Sequence, residues 1–305
     1  MRLIRLSADD DYQSLVSSAV AIGNFDGLHL GHQAVIEAML LEARLRDLVP
    51  SVLTFEPHPR QFFSKMQQAF CLQPLSDKLR MLRDMGVKQV FLARFDTAFS
   101  SLPAEAFVHQ ILHKKLAARH VVTGTNFGFG KARTGDAALL TRLLTSYSAT
   151  HARIAPVHIG RCICSSTAIR EALNDGDMHK AAALLARPYM LSSRVQNGDK
   201  RGRILGYPTA NLHFSPQLLL PKFGVYAVRT NLGNGVANLG IRPMYRSATP
   251  LLEVHLFDFS GDIYNQRLEV KCVQRLRGEE TFTNERALVE QMHEDCNLAR
   301  QLLEH

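Results

Sequence analysis

Val20-Ala21-Ile22-Gly23-Asn24-Phe25-Asp26-Gly27-Leu28-His29-Leu30-Gly31-His32 decides how the first half of this 305-residue chain folds. A short apolar run stops at a glycine and enters a glycine-punctuated turn. Ile36, Met39, Leu40 and Ala43 then recur at helical spacing across 34–48. The stretch is therefore a strand feeding a helix through a tight loop. Unpaired N–H groups and the dipole at the start of such a helix favour a phosphate, and glycines let the backbone approach it closely. His29 and His32 stand three apart across a glycine, so both imidazoles can face one point above the helix start. Two donors there would neutralise charge that develops on a phosphorus during transfer. A metal-binding pair, without an evident third ligand, and two surface histidines are the competing readings.

Working outward, the same alternation repeats. Val52–Phe55, Val90–Ala93, Val121–Gly124 and residues 152–157 read as further strands. Ser76 is placed to cap a helix carrying Leu79 and Leu82 and closed by Gly86, and Pro103 to open one that runs to about Ala118. Strands alternating with helices predict an α/β domain with a parallel sheet covered on both faces, its ligands at the C-terminal strand ends. After Arg187-Pro188-Tyr189 the period changes to two. Leu252, Val254 and Leu256 alternate with Glu253 and His255, and Leu268, Val270 and Cys272 alternate with Arg267, Glu269 and Lys271. Frequent glycines and no intervening helices predict a small antiparallel β-barrel or sandwich. A final helix carries Leu288, Met292, Cys296, Ala299 and Leu303 on one stripe and is expected to cap it. Two domains follow, 1–186 and 187–305.

Composition narrows the partners. Hydrophobic residues make up 46% of the chain, which excludes intrinsic disorder. No apolar run approaches the ~18 residues that a membrane helix needs, so no membrane association is expected. Asp9, Asp10 and Asp11 interrupt any secretory signal, and five cysteines, an odd number, fit a reducing cytoplasm better than a disulfide scaffold. The net charge of +8 points to an anionic partner. Its basic residues are scattered and do not interleave with aromatics, so a small polyphosphate is favoured over nucleic acid.

The densest signal lies in the second half: Gly198-Asp199-Lys200-Arg201-Gly202-Arg203-Ile204-Leu205-Gly206-Tyr207-Pro208-Thr209-Ala210-Asn211-Leu212. Glycines and basic residues here suit an anion-binding flap. Thr209 and Asn211, two apart on extended backbone, would offer two neutral oxygens to Mg²⁺, which takes a few such ligands together with phosphates and water. Tyr-Pro-Thr as a simple turn and Asn211 bonded to its own backbone are the plain alternatives. Glu253, taken alone, is a solvated strand residue.

The decapeptide from Gly23 resembles the HxGH nucleotidyltransferase superfamily, and in its longer form the adenylyltransferase module of prokaryotic FAD synthetases. Thr54–Pro59 with Phe62 and Phe63, Gly124–Gly130, and Ser165-Ser166-Thr167-Ala168-Ile169-Arg170 are similar to that family's further loops, in the same order. The resemblance implies a Rossmann-like domain with His29 and His32 catalytic. It implies ATP at Gly23, Phe25, Asp26, Gly27, Asn126, Ser165, Ser166, Thr167 and Arg170, and a flavin near Phe55, His58 and Phe62. Without it, Ser165–Thr167 is an ordinary helix cap and the phenylalanines are core. The sequence departs from the family at Thr125, usually acidic, at Gly128, often Arg, and at Ile163, usually Arg; Arg161 is the nearest substitute for the last.

Residues 198–212 resemble the riboflavin kinase signature, and the likeness continues through Asn238, Leu252–Phe259 and Arg275–Arg277. It implies ATP at Gly198, Lys200, Gly202, Gly206 and Asn238, Mg²⁺ at Thr209 and Asn211, and Glu253 as the base for the riboflavin 5′-hydroxyl. It also implies flavin contacts at Asp295 and Arg300, which otherwise read as solvent-facing helix charges. Taken together, the matches imply a bifunctional riboflavin kinase/FAD synthetase using ATP, riboflavin and FMN. A kinase with a decayed first domain and a basic nucleic-acid-binding protein are the alternatives.

Overall fold

The computed structural model of the chain describes residues 1–64, 69–198, 202, 205–241 and 250–304. Lys200, with Arg201 and Arg203 of the basic flap, lies outside the described residues. Compactness separates two units, Met1–Ser166 and Thr167–His305.

In the first unit β1 (Arg2–Leu6), β2 (Ser18–Ile22), β3 (Val49–Glu56), β4 (Gln89–Arg94), β5 (Ala118–Gly124) and β6 (Thr150–Ile154) form one parallel sheet, ordered β1-β4-β3-β2-β5-β6. Alternate residues of the apolar strands serve opposite faces. Val20, Ile22, Leu53 and Phe91 pack with Val108, Ile111 and Leu112 in one core. Ala19, Ala21, Val52 and Val90 pack on the other face with Val35, Ile36 and Met39 of α1 (Leu30–Leu45). The chain runs from β2 outward through β3 and later returns to β5 on β2's other side. That reversal leaves a crevice at the C-terminal end of β2, where the glycine-rich loop begins.

Two helices differ from their sequence expectation. The helix after the second-strand loop and α2 (Pro59–Ser64) is α3 (Leu75–Asp84); its N-cap is Pro74, with no side-chain cap, and Ser76 falls inside it. Pro103 does open a helix, after the single turn α4 (Thr97–Ser100). The segment starts as α5 (Ala104–Ala106), widens to a π pattern over Phe107–Lys115 and stops there, because Ala117 turns left-handed (φ 47°) and Ala118 begins β5. Edge strand β1, α6 (Ala137–Thr145) and the hairpin β7 (His158–Ile159)–β8 (Cys162–Ile163) were not foreseen. Ile163 and Arg161 are exposed on that hairpin.

The second unit contains most of α7 (Ser166–Asp175), then α8 (Met178–Leu185). Its six strands are β9 (Tyr189–Gln196), β10 (Ala210–His213), β11 (Gly224–Thr230), β12 (Gly233–Ile241), β13 (Pro250–Leu256) and β14 (Arg267–Arg277). They close into an antiparallel barrel in the order β10-β13-β12-β11-β14-β9. Leu252, Val254, Leu268 and Val270 fill the interior, as the period-two pattern requires. The last helix, α9 (Glu285–Leu303), lies against β11, β12 and β14 on the barrel's flank. Its lower stripe, Cys296, Ala299 and Leu303, packs on Ala227 and Phe257, while Leu288 and Met292 stay half-buried.

Two histidines at the β5–β6 edge make the first unit acid-sensitive. His120 is buried with Nδ1 2.7 Å from Thr150 Oγ1, and burial lowers its pKa. His151 is held between Thr123 and Thr141, each at 2.9 Å, and burial pushes its pKa down to about 4. In the unfolded chain both take up protons near pH ~6.5. The unfolded state therefore binds more protons as pH falls from about 6.5 toward 4, and stability is lost over that window. Thermal melting of the intact chain is expected to drop by several degrees between pH 7.5 and pH 5. His151→Gln should flatten that slope; an unchanged slope would mean that His151 does not carry it.

Candidate active sites

The loop after β2 is fastened by its carbonyls. Asn24 O accepts from Thr54 Oγ1 (3.1 Å) and Lys78 Nζ (2.9 Å), Phe25 O from Gln73 Nε2 (3.2 Å), and Asp26 O from Ser166 Oγ (2.8 Å). Asp26 Oδ1 accepts the Leu72 N–H at 2.8 Å. Phe25, Gly27 and Leu28 all adopt positive φ. With its carbonyls tied to the protein and its backbone alternating in hand, the loop can turn N–H groups toward an anion. The side chains of Phe25 and Asp26 point inward, so the backbone is what they offer a ligand. Lys78 was absent from the sequence reading. Its only signal was a lysine amid an otherwise amphipathic helix, yet it is 6% exposed and its pKa is lowered by burial.

His29 is the N-cap of α1: its Nδ1 accepts the His32 N–H at 3.3 Å, which assigns its own proton to Nε2 in the neutral ring. The two imidazoles stack with centroids 3.7 Å apart, and His32 meets Phe25 edge-on at 5.3 Å. A side chain on Gly31 would press on the His29 ring and on Cys164 O, so a larger residue there would shift the His29 ring or the Cys164 carbonyl. His32 Nδ1 is enclosed with no hydrogen-bond partner. Burial, then the charges of His29, Lys78 and His58, hold its pKa well below the usual imidazole range. His32 is therefore neutral at pH 7.

Beside this loop a cavity of about 870 Å³ opens at the C-terminal strand ends, lined by Gly23, Phe55, Phe95, Phe99, Asn126 and Phe129 among others. Phe62 is not in its wall; it packs edge-on against Phe63 and Phe95, and it is Phe63 that lines the cavity. His58 is buried against Phe70, which does line it. Ser166 is a tether of the loop through its hydroxyl, and Thr167 and Arg170 follow on α7 beyond the last residue of the first unit.

In the second unit, strand register builds the site. Asn211 on β10 pairs with Glu253 on β13, and Glu253 with Asn238 on β12; Asn238 pairs in turn with Val225, and Val225 with Arg277. The row crosses five strands on the barrel's outer face. A cavity of about 360 Å³ lies over it, bounded by Gly202, Thr209, Asn238 and Glu253 below and by Phe282, Leu288 and Met292 on the helix side. Glu253 is half-buried there. Asn211 is 5% exposed, and its Oδ1 is enclosed with no hydrogen-bond partner among the described residues. Thr209 lines the cavity and Asn211 does not; an enclosed amide oxygen of this kind is what a hard cation such as Mg²⁺ would complete. Gly198 lies so close to the Asn211 amide that any side chain would strike it. Gly206 (φ 85°) is exposed and outside the cavity wall.

Asp295 lines this cavity but is already engaged: Arg277 Nε and Nη2 donate to its two oxygens at 2.9 and 2.7 Å, and Gln291 adds a 3.3 Å bond. Arg277 therefore belongs to the site's wall. Arg300 does not join it. Its guanidinium pairs with Asp258 at 2.7 and 3.0 Å, lies over the Phe257 ring, and lines a separate cleft. The helical period could place Arg300 on α9 but not say which side of the barrel it would meet.

Each unit thus presents a cavity of its own, the first beside a phosphate-type loop, the second beside a carboxylate and oxygen ligands; the molecule has the form of a two-site nucleotide-dependent transferase. A family model for FAD synthetase matches residues 12–168, and one for riboflavin kinase matches residues 185–303. The bifunctional riboflavin kinase/FMN adenylyltransferase of Haemophilus influenzae is 38% identical over 311 residues, 98% of each chain. That of Escherichia coli (strain K12) is 36% identical over 306 residues, 99% of this chain and 97% of the relative. A crystal structure described as a macrolide-efflux protein from Streptococcus pneumoniae has a TM-score of 0.87 at 28% identity, covering 98% of this chain and 99% of the other. The chain belongs to the bifunctional riboflavin kinase/FMN adenylyltransferase family. Among the described residues, no helix is long and apolar enough to cross a membrane.

Proposed function

We propose that the chain phosphorylates riboflavin with ATP to give FMN in the domain at 187–305, and joins AMP from ATP to FMN in the domain at 1–186, giving FAD and pyrophosphate. The observation that carries this is the match of both family models, in order, to a chain whose two units each hold a cavity with suitable chemistry. A kinase with a decayed first domain is not favoured, because the FAD synthetase model matches residues 12–168 and the loop after β2 holds its histidine pair tethered in place. Nothing in either cavity favours nucleic acid.

In the kinase domain, Glu253 accepts the proton of the riboflavin 5′-hydroxyl as that oxygen attacks the γ-phosphorus of ATP. Phe282, Leu288 and Met292 give the flavin ring an apolar wall, and the Arg277–Asp295 pair fixes its polar side. Gly202 and Asn238 line the side that would face the phosphates. Thr209 and Asn211 would hold Mg²⁺, whose chemistry there is to neutralise phosphate charge. In the adenylyltransferase domain, the FMN phosphate attacks the α-phosphorus of ATP and pyrophosphate leaves. His29 and His32 stabilise the charge that develops, while the Gly23–Gly27 backbone, Asn126, Ser165 and Ser166 receive the nucleotide. Phe55 and its aromatic neighbours take the flavin. The site of action we infer is the cytoplasm, consistent with five free cysteines.

Chromatography of flavins after incubating the intact protein with riboflavin, ATP and Mg²⁺ tests this directly. FMN should appear first and FAD later. FMN without FAD would remove the second activity, and unchanged riboflavin would remove both.

A further inference from the structure

We propose that Arg133 is the clamp for the phosphate of the flavin mononucleotide, and so the residue by which the first cavity distinguishes FMN from an unphosphorylated flavin; this rests on the adenylyltransferase activity proposed above. The cavity has an unequal lining. Among the described residues, eight phenylalanines line it, a surface suited to an isoalloxazine ring but without charge for a phosphate dianion. Arg60 and Arg133 are, among the described residues, the cations in its wall.

Arg133 stands out by how it is held. Gly130, Ala132 and Arg133 adopt φ of 73°, 53° and 58°, and two of the three carry a Cβ. Left-handed backbone at non-glycine residues is costly and persists where the surroundings impose it, commonly at ligand clamps. Here it lays the guanidinium on Gly128: a Cβ at that position would come within 3.0 Å of Nε and Nη2. Nη2 reaches Asn126 O at 3.5 Å, a weak contact that leaves donors to spare. No carboxylate pairs with Arg133 among the described residues, and the residue is exposed at the cavity rim. A preorganised, planar cation without a counter-charge beside an aromatic cavity matches a phosphate monoester, which carries about −1.5 to −2 charge at pH 7 and accepts bidentate bonds from arginine.

The test follows FAD formation by the intact protein while varying FMN, with lumiflavin, a flavin ring without a phosphate, as competitive inhibitor. Arg133→Ala should raise KM for FMN by about 10- to 100-fold, the scale of a lost charge-assisted pair. KM for ATP and the inhibition constant of lumiflavin should stay within about twofold. Arg133→Lys should fall between, and Gly128→Ala should raise KM by pushing the guanidinium aside. In the unaltered protein KM for FMN should fall as pH rises through ~6, where the phosphate takes its second charge; Arg133→Ala should flatten that dependence. The proposal is overturned if KM for FMN is unchanged, if lumiflavin weakens in parallel, or if the ATP constant is the one that moves. Should Arg133→Ala not fold, the lysine and Gly128 variants still decide. Absence of FAD from the unaltered protein would instead refute the underlying activity.

Discussion

Glu253→Gln is expected to abolish FMN formation by the intact chain, with a fall of about 10²- to 10⁴-fold in kinase turnover, the usual worth of a positioned general base. The substitution preserves shape and removes the charge that takes the hydroxyl proton. Glu253 lies on the barrel's outer face, opposite the Leu252 and Val254 face that makes the core, so the fold should survive. Supplied FMN should still be converted to FAD, since that chemistry uses residues of the other unit. Loss of both activities in a folded variant would contradict the division of labour.

His32→Ala should produce the reverse pattern, removing FAD formation by about 10²- to 10³-fold while FMN production continues. His32 stacks on His29, and its backbone N–H is the group that His29 caps. Truncation therefore deletes one donor and leaves the other ring without its neighbour, while the backbone hydrogen bond can persist. Unchanged FAD output would make the pair a helix-capping device only.

How far the sequence could be read follows from which interactions are local. The strand-turn-helix at Val20–His32 and the alternation at Leu252–Leu256 are set by neighbours in the chain, and both appear as expected. The wide turns over Phe107–Lys115 have no local sequence signal. Nor do the long-range tethers: Lys78 to Asn24, Ser166 to Asp26 and Arg277 to Asp295 span 54, 140 and 18 positions. Phe62 and Phe63 show the limit within a single helical turn, because adjacent rings point to different sides and only packing decides which one lines the cavity. Asp295 and Arg300 were equivalent as charges on α9, yet five residues of helix send them to different clefts.

The five-strand row on the barrel has a consequence for how this gene can change. Because side chains alternate sides along a strand, losing or gaining one residue within β13 would turn Glu253 into the apolar interior and bring a leucine or valine out into the cavity. A closed barrel has no free edge along which the neighbours could slide to absorb the error. Insertions and deletions should therefore collect at hairpin tips such as the Thr230–Gly233 turn, or where a bulge takes up the extra residue as β14 does opposite Val225–Val228, and not beside Glu253.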